Sequence, residues 1–232
     1  MNLFDHAIMS YINKFSQHSF SFDYAILVLS GDNLLKGGVL AIIFWWAWFK
    51  NGQLHPNNRE HIISTILSAL IAMPFARVLA LTLPFRLRPG DAGLDFLLPY
   101  GMKLIELKGW SSFPSDHAVL FFTLSTGRLF ISKKIGAFAL AYTVLFICFP
   151  RIYLGLHFPT DIIAGAIIGI SFGYLGNLNI VGERISQPIL SWECSRPSLF
   201  YSLLFLTTYQ IADTFQSSMD IIRVICKCWH IS

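Results

Sequence analysis

The sequence predicts an all-α fold, a polytopic membrane helix bundle with about six transmembrane helices. Three observations carry this expectation. Of 232 residues, 54% are hydrophobic and 15% aromatic. Only 13% are charged and the mean hydropathy is +0.57, which is too apolar for a soluble domain of this length. Apolar blocks approaching the roughly 20 residues that cross a bilayer recur along the chain, joined by short polar connections. No long charged or Ser/Gly-rich linker divides them, so residues 1–232 read as a single domain.

Met1 to Gln17 lacks the basic start, apolar core and small-residue cleavage site of a secretory signal. It reads as a partly amphipathic interfacial helix, with Leu3, Phe4, Ile8, Ile12 and Phe15 on one stripe. Phe22 to Ser30 is apolar but too short to span, and Gly31-Asp32-Asn33 breaks it. Leu34 to Phe49 is the first span, ending in an aromatic cluster and Lys50 as suits an interface. The second, Ile62 to Phe85, contains Pro74 as a kink and Arg77 within its sequence. After a long connection, Arg86 to Pro114, come His117 to Ile131, Ile135 to Pro150, Ile162 to Leu178 and the shorter Leu199 to Ala212. Gly165 and Gly169 form a G-x-x-x-G that allows close helix packing. Asp213 to Ser232 reads as a further interfacial helix.

The net charge of +4 is spread over loops without a dense basic tract, so the lipid bilayer is the expected partner and nucleic acid is not. Cys148, Cys194, Cys226 and Cys228 lack metal-site spacing and read as buried or free thiols. By parity, the loops Lys50 to Arg59, Ser132 to Lys134 and Asn179 to Pro197 share one side, which their basic residues make cytoplasmic. The loops Arg86 to Asp116 and Arg151 to Asp161 then share the outer side.

Those outer loops concentrate polar chemistry. The first opens with Arg86 and Arg88 and closes with Pro114-Ser115-Asp116-His117; the second carries Arg151, His157 and Asp161. Singly, each has an ordinary reading as a snorkelling arginine, an interfacial histidine or a helix start. Jointly they describe an anion site. Pro-Ser-Asp and Pro159-Thr160-Asp161 both begin helices, so free backbone N–H groups and two positive helix ends meet the arginines on one side. Arginine's forked donors match phosphate oxygens.

The pattern R-P, then P-S-D-H, then R-x5-H-x3-D resembles the signature of the type 2 phosphatidic acid phosphatase superfamily, usually K-x6-RP, PSGH and SR-x5-H-x3-D. The likeness runs from Arg77 to Gly169, and the third element is the specific one. Asp116 within P-S-D-H resembles the bacitracin-resistance branch, whose members are undecaprenyl-diphosphatases. Three positions depart from the pattern. Leu81 stands where the family lysine belongs, leaving Arg77 or Arg86 to supply that charge; Pro150 replaces the serine before Arg151; and Asp116 replaces glycine.

The resemblance implies an integral-membrane phosphatase of the bacterial inner membrane, with its active site facing the periplasm or exterior. It implies His157 as nucleophile, forming a phosphohistidine, with Asp161 orienting it. His117 would protonate the leaving oxygen and then activate water. Arg88, Arg151, Ser115 and Asp116 would hold the phosphate, with Arg77 or Arg86, and less strongly Lys103 and Lys108, contacting a distal phosphate or headgroup. No cofactor and no metal are expected. Undecaprenyl diphosphate is the expected substrate; phosphatidate, phosphatidylglycerol phosphate or lipid A phosphates, or transfer of the phosphoryl group to another lipid, are alternatives. Three others stand beside them: a phospholipid carrier, a scaffold in which Arg151, His157 and Asp161 only pair, and a metal site built from Asp116, His117, His157 and Asp161.

Overall fold

The computed structural model describes residues 2–50, 57–92, 96–102, 110–178 and 182–215. Lys103, Lys108, Cys226, Cys228 and the expected terminal helix beyond residue 215 lie outside them. Among the described residues the fold is helical throughout. We label the helices α1 (Leu3–Asn13), α2 (Phe20–Gly31), α3 (Leu34–Phe49), α4 (Asn57–Thr82), α5 (Asp116–Ile131), α6 (Lys133–Tyr153), α7 (Pro159–Gly176), α8 (Gln187–Ser195) and α9 (Pro197–Ala212).

Helices α4, α6 and α7 are each long and apolar enough to cross a membrane, and α2 with α3 makes a fourth crossing if that pair is one span bent by 68°. The break falls at the expected Gly31-Asp32-Asn33. It continues into a π-turn at Leu34–Gly38. Helices α5 and α9 are 16 residues each, short of the roughly 17–25 that a crossing uses. Among the described residues the structure therefore supports three or four crossings where the apolar blocks suggested about six. Outward-facing Ile71, Phe75, Val78, Phe138, Leu145, Ile163, Ile167 and Phe205 are exposed on the bundle surface, as lipid-facing side chains are.

Helix α5 is the axis of the bundle, buried without interruption from Ala118 to Arg128. It packs on α4, α6 and α7. Its contact with α7 is the closest because α7 presents glycines every fourth residue: a Cβ at Gly165 would lie 2.7 Å from the Ser115 carbonyl oxygen, one at Gly169 2.5 Å from that of Val119, and one at Gly173 2.7 Å from that of Thr123. Small residues let the backbones meet. This seam fixes the first turn of α5, with Asp116 and His117, against the first turn of α7, with Asp161. On the far side, Leu120 and Leu124 join Leu40, Phe44, Trp48, Ile62, Ile66, Phe200 and Leu204 in the main apolar core.

The two ends of the bundle differ. At one, Arg59 pairs with Glu193 at 2.6 Å and His61 meets Asn177 at 3.1 Å, joining the loops that parity placed together. At the other, α1 lies over the starts of α6's last turn and α7. The expected stripe is split: Leu3 is 90% exposed and Phe4 and Phe15 about half exposed, whereas Ile12 packs against the Ile26, Tyr153, Leu154 and Leu156 cluster. Asp5 and Met9 turn inward instead.

Candidate active site

The site is built where three segments are laced by backbone hydrogen bonds. Ser112 N–H donates to the Arg86 carbonyl at 2.9 Å, Gly90 N–H to the Gly155 carbonyl at 3.0 Å, and Ser115 N–H to the Asp161 carbonyl at 3.2 Å. Gly155 makes the tight turn between Arg151 and His157 at φ +69°, a region that glycine adopts without steric cost. Thus the R-P, P-S-D-H and R-x5-H-x3-D segments, distant in sequence, form one cluster.

His157 is 6% exposed. Its Nδ1 lies 2.8 Å from the Ser112 carbonyl oxygen, to which it donates, and 3.8 Å from Asp161 Oδ2. That bond places the proton on Nδ1 and leaves the Nε2 lone pair unused. Burial pushes the His157 imidazole below the usual histidine range, as does the charge of Arg88, while Asp161 opposes the shift. The orienting carboxylate expected at Asp161 therefore shares its task with a backbone carbonyl. Asp161 is itself fixed: Oδ1 accepts from Arg86 at 2.5 Å and Oδ2 from the Phe158 N–H at 2.8 Å.

His117 Nε2 accepts from the Arg151 guanidinium at 2.5 Å. Arg88 donates to the Leu156 carbonyl at 2.8 Å and is 9% exposed. Arg88 and Arg151 stand close enough to both histidines for their charges to bear on each ring. Ser115 is fully buried and its hydroxyl caps α5, accepting from Ala118 N–H at 3.4 Å. Asp116 is ion-paired with Arg77, whose guanidinium stacks 4.3 Å from the Trp110 ring centroid. The carboxylate introduced in place of glycine is thereby neutralised.

Arg86 is placed otherwise than a phosphate ligand would be. Its fork is taken by Asp161, by Thr160 Oγ1 at 2.8 Å and by Asp5 Oδ2 at 2.7 Å, and it lies 4.2 Å over the Phe158 ring. Asp5, fully buried, also accepts from the Thr160 N–H at 3.0 Å and hydroxyl at 2.7 Å. Asp5 and Ser112 were missed by sequence reasoning. An acid in the first turn of an otherwise apolar helix is a weak signal for the first; a backbone carbonyl leaves none for the second. Leu81, at the lysine position of the first element, is 77% exposed and faces away from the cluster.

Among the described residues, six buried side-chain polar atoms have no partner, and three of them are Arg88 Nε, Arg151 Nε and Asp116 Oδ1. Native interiors rarely leave such groups unpaired. These three lie in the cluster that holds the two histidines. A metal fits poorly, because Asp116, Asp161 and His117 Nε2 are each bonded to an arginine; among the described residues no group of three His, Cys, Asp or Glu side chains gathers as a metal site.

Residues 59–182, more than half of the sequence, match the PAP2 superfamily. The chain belongs to that superfamily. The undecaprenyl-diphosphatase BcrC of Bacillus subtilis strain 168 is 25% identical over 172 residues, covering 74% of this chain and 81% of the relative. The bacitracin transport permease protein BcrC of Bacillus licheniformis is 41% identical over 75 residues, 32% of this chain and only 36% of that relative. The lipid A 1-diphosphate synthase of Escherichia coli K12 is 30% identical over 148 residues, 62% of this chain and 60% of the relative. No solved structure matches significantly. Membership in the PAP2 superfamily, apolar helices and bacterial relatives together make this a bacterial integral membrane protein.

Proposed function

We propose that the protein is a lipid phosphate phosphatase whose substrate is an isoprenoid diphosphate, undecaprenyl diphosphate first, giving the monophosphate through a phosphohistidine. The observation that carries this reading is the pairing of a buried imidazole, its Nε2 free, with the unused donors of Arg88 and Arg151. The similarity to undecaprenyl-diphosphatases over most of the chain supports the substrate. On this reading α5 and α9 also traverse the bilayer, giving six crossings. The site opens to the periplasm or exterior, where the lipid tail stays in the membrane while its headgroup reaches the arginines.

In the first step the Nε2 pair of His157 attacks the terminal phosphorus. The bond from phosphorus to the bridging oxygen breaks, its electrons pass to that oxygen, and His117 supplies the proton. Arg88, Arg151, the Ser115 hydroxyl and the backbone at Asp116 hold the non-bridging oxygens as charge redistributes. Arg151, bonded to His117 in the structure, turns to phosphate when substrate enters, and the freed Nε2 takes up the proton that a monoprotonated diphosphate brings with it, which it then gives to the leaving oxygen. Water then attacks phosphorus, giving a proton back to His117, and the P–N bond breaks. Arg77 holds Asp116 away from phosphate, and Arg86 with Asp5 positions Asp161. Quenching enzyme in alkaline detergent while it turns over a substrate labelled in its terminal phosphate should trap acid-labile, base-stable label on His157; label absent from protein under conditions of turnover overturns the covalent route.

Transfer to a lipid acceptor is the second reading, favoured by the likeness to a lipid A 1-diphosphate synthase. Label appearing in an added acceptor lipid instead of free phosphate selects it.

The lowered pKa of His157 gives a pH prediction. With its native pKa below the usual value of about 6.5, the nucleophile stays neutral at and below that pH. The acid limb of kcat/KM is therefore expected under pH 6.5, measured across pH 4–8. Stability runs the same way: the unfolded imidazole takes up a proton first, so this contribution is complete above about pH 6.5 and is lost as pH falls toward the native pKa. An acid limb centred above 7 would contradict the assignment.

A further inference from the structure

Helix α1 lies outside residues 59–182, which carry the superfamily match, yet it reaches the nucleophile through bonded side chains. Asp5 Oδ2 accepts from Arg86 at 2.7 Å, the other arm of Arg86 donates to Asp161 at 2.5 Å, and Asp161 Oδ2 stands 3.8 Å from His157 Nδ1. Thr160, beside Asp161 at the start of α7, also bonds Asp5 through its N–H and its hydroxyl. The far end of α1 is tied as directly. Asn13 exchanges two hydrogen bonds with Leu97, at 2.7 and 2.8 Å, and the Tyr153 hydroxyl donates to the Phe15 carbonyl at 3.2 Å. A displacement of α1 is therefore passed to Asp161.

Along α1 and the turn that follows it, residues three and four apart form three rows. Asp5, Met9, Ile12 and Ser16 face the protein: Asp5, Met9 and Ser16 are buried, and Ile12 packs on the Ile26 cluster. His6, Ser10 and Lys14 make an exposed polar row. Phe4, Ile8, Tyr11 and Phe15 make the third, whose aromatic rings are half or more exposed, with Tyr11 and Phe15 edge to face at 5.8 Å. One row on protein, one in water and one apolar is the division of a helix lying between headgroups and acyl chains, where aromatic rings concentrate. The lipid-facing surface is close by in the chain. Phe20 and Tyr24, which open α2, are likewise exposed and stack at 5.9 Å at the start of the bent pair that makes the fourth candidate crossing.

We propose that α1 seats the Phe4, Ile8, Tyr11 and Phe15 row in the headgroup–acyl boundary of the bilayer at the site's end of the bundle, and that this seat, acting through Asp5 and Arg86 on Asp161, holds His157 in its attacking orientation. Asp5 is then a positioning residue that links the membrane surface to the nucleophile. The second half of the inference rests on the phosphatase reading above; the seat in lipid stands without it.

Wild-type protein in phospholipid vesicles tests the seat. A photolysed diazirine-tailed phospholipid should leave adducts on Phe4, Ile8, Tyr11 and Phe15, as on outward-facing Ile71 and Phe75, while hydroxyl radicals generated in the water should mark His6 and Lys14. Adducts on Ile71 and Phe75 with none on α1 overturn the proposal. So does an apolar row shielded from both reagents, since a second protein copy then covers it. For the coupling, Phe4→Ser with Tyr11→Ser, and separately Asp5→Asn, should lower kcat for a short-chain, water-soluble isoprenoid diphosphate by roughly fivefold to fiftyfold with KM within about twofold, because Arg88 and Arg151 still bind phosphate. Among Arg88, Arg151 and Asp161, the charged groups bearing on His157, Asp161 alone favours the protonated ring. A less firmly held Asp161 therefore moves the acid limb of kcat/KM to lower pH, whereas a merely structural loss reduces the amount of active enzyme and leaves the limb in place. An unmoved limb, or wild-type kinetics in both variants, overturns the coupling. Wild-type protein that is labelled from lipid along α1 but releases no phosphate from any lipid diphosphate sinks the phosphatase reading, and the coupling with it, while the seat of α1 stands.

Discussion

Replacing His157 by alanine is expected to cut phosphate release from a lipid diphosphate by at least roughly a thousandfold. The other imidazole, His117, serves as proton carrier on the leaving-group side and does not replace the lost nucleophile. Binding should survive, because Arg88 and Arg151 remain and supply the charge-assisted bonds. Stability should fall by about 1–3 kcal/mol, since the buried Ser112 carbonyl loses its donor and Asp161 loses a neighbour 3.8 Å away. The measurement is single-turnover phosphate release beside lipid binding by the same purified variant. Release within an order of magnitude of wild type would remove His157 from the chemistry. Retained movement of intact lipid across vesicle membranes, with no release by the wild type, would instead favour a carrier.

Arg86→Leu should be the most destabilising change in the cluster. Its guanidinium lies between Asp5 and Asp161, both fully buried, and without it the two carboxylates lose the cation bonded to them and keep only neutral donors, Thr160 for Asp5 and the Phe158 N–H for Asp161. Breaking a buried pair from one side costs about 3–5 kcal/mol. Here the loss also weakens the tie between α1 and the start of α7, leaving only the bonds from Thr160 to Asp5. Thermal unfolding of purified variants, with Arg88→Leu as comparison, separates the two arginines. Arg88 bonds only a backbone carbonyl, so its removal should weaken catalysis more than folding. Asp5→Asn combined with Asp161→Asn should recover part of the stability of Arg86→Leu by removing the orphaned charges. An Arg86→Leu protein as stable as wild type, defective only in substrate affinity, would return Arg86 to the phosphate-binding role expected from its position beside Arg88.

The motif residues were legible because each lies within a few positions of the others on a local turn. R-x5-H-x3-D needs only one tight loop and one helix start to bring Arg151, His157 and Asp161 together. The Gly165/Gly169 spacing likewise announced a close seam, and the structure extends it to Gly173 against the carbonyls of α5. The number of crossings was less legible, since an apolar block such as His117 to Ile131 looks alike whether it faces lipid or, as in α5, is enclosed by other helices.

The apolar helical class, the break at Gly31-Asp32-Asn33 and the residues of the three signature segments follow from composition and from spacing along one stretch of chain, and so could be read before any coordinates. The partnering of the charges emerged from the folded arrangement alone. It gave Arg86 to Asp5 across 81 positions, Arg77 to Asp116 across 39, and the Nδ1 proton of His157 to a backbone carbonyl 45 positions away. Charge pairing acts through space and depends on burial, and neither the distance between two side chains nor the water excluded around them is written in their separation along the chain.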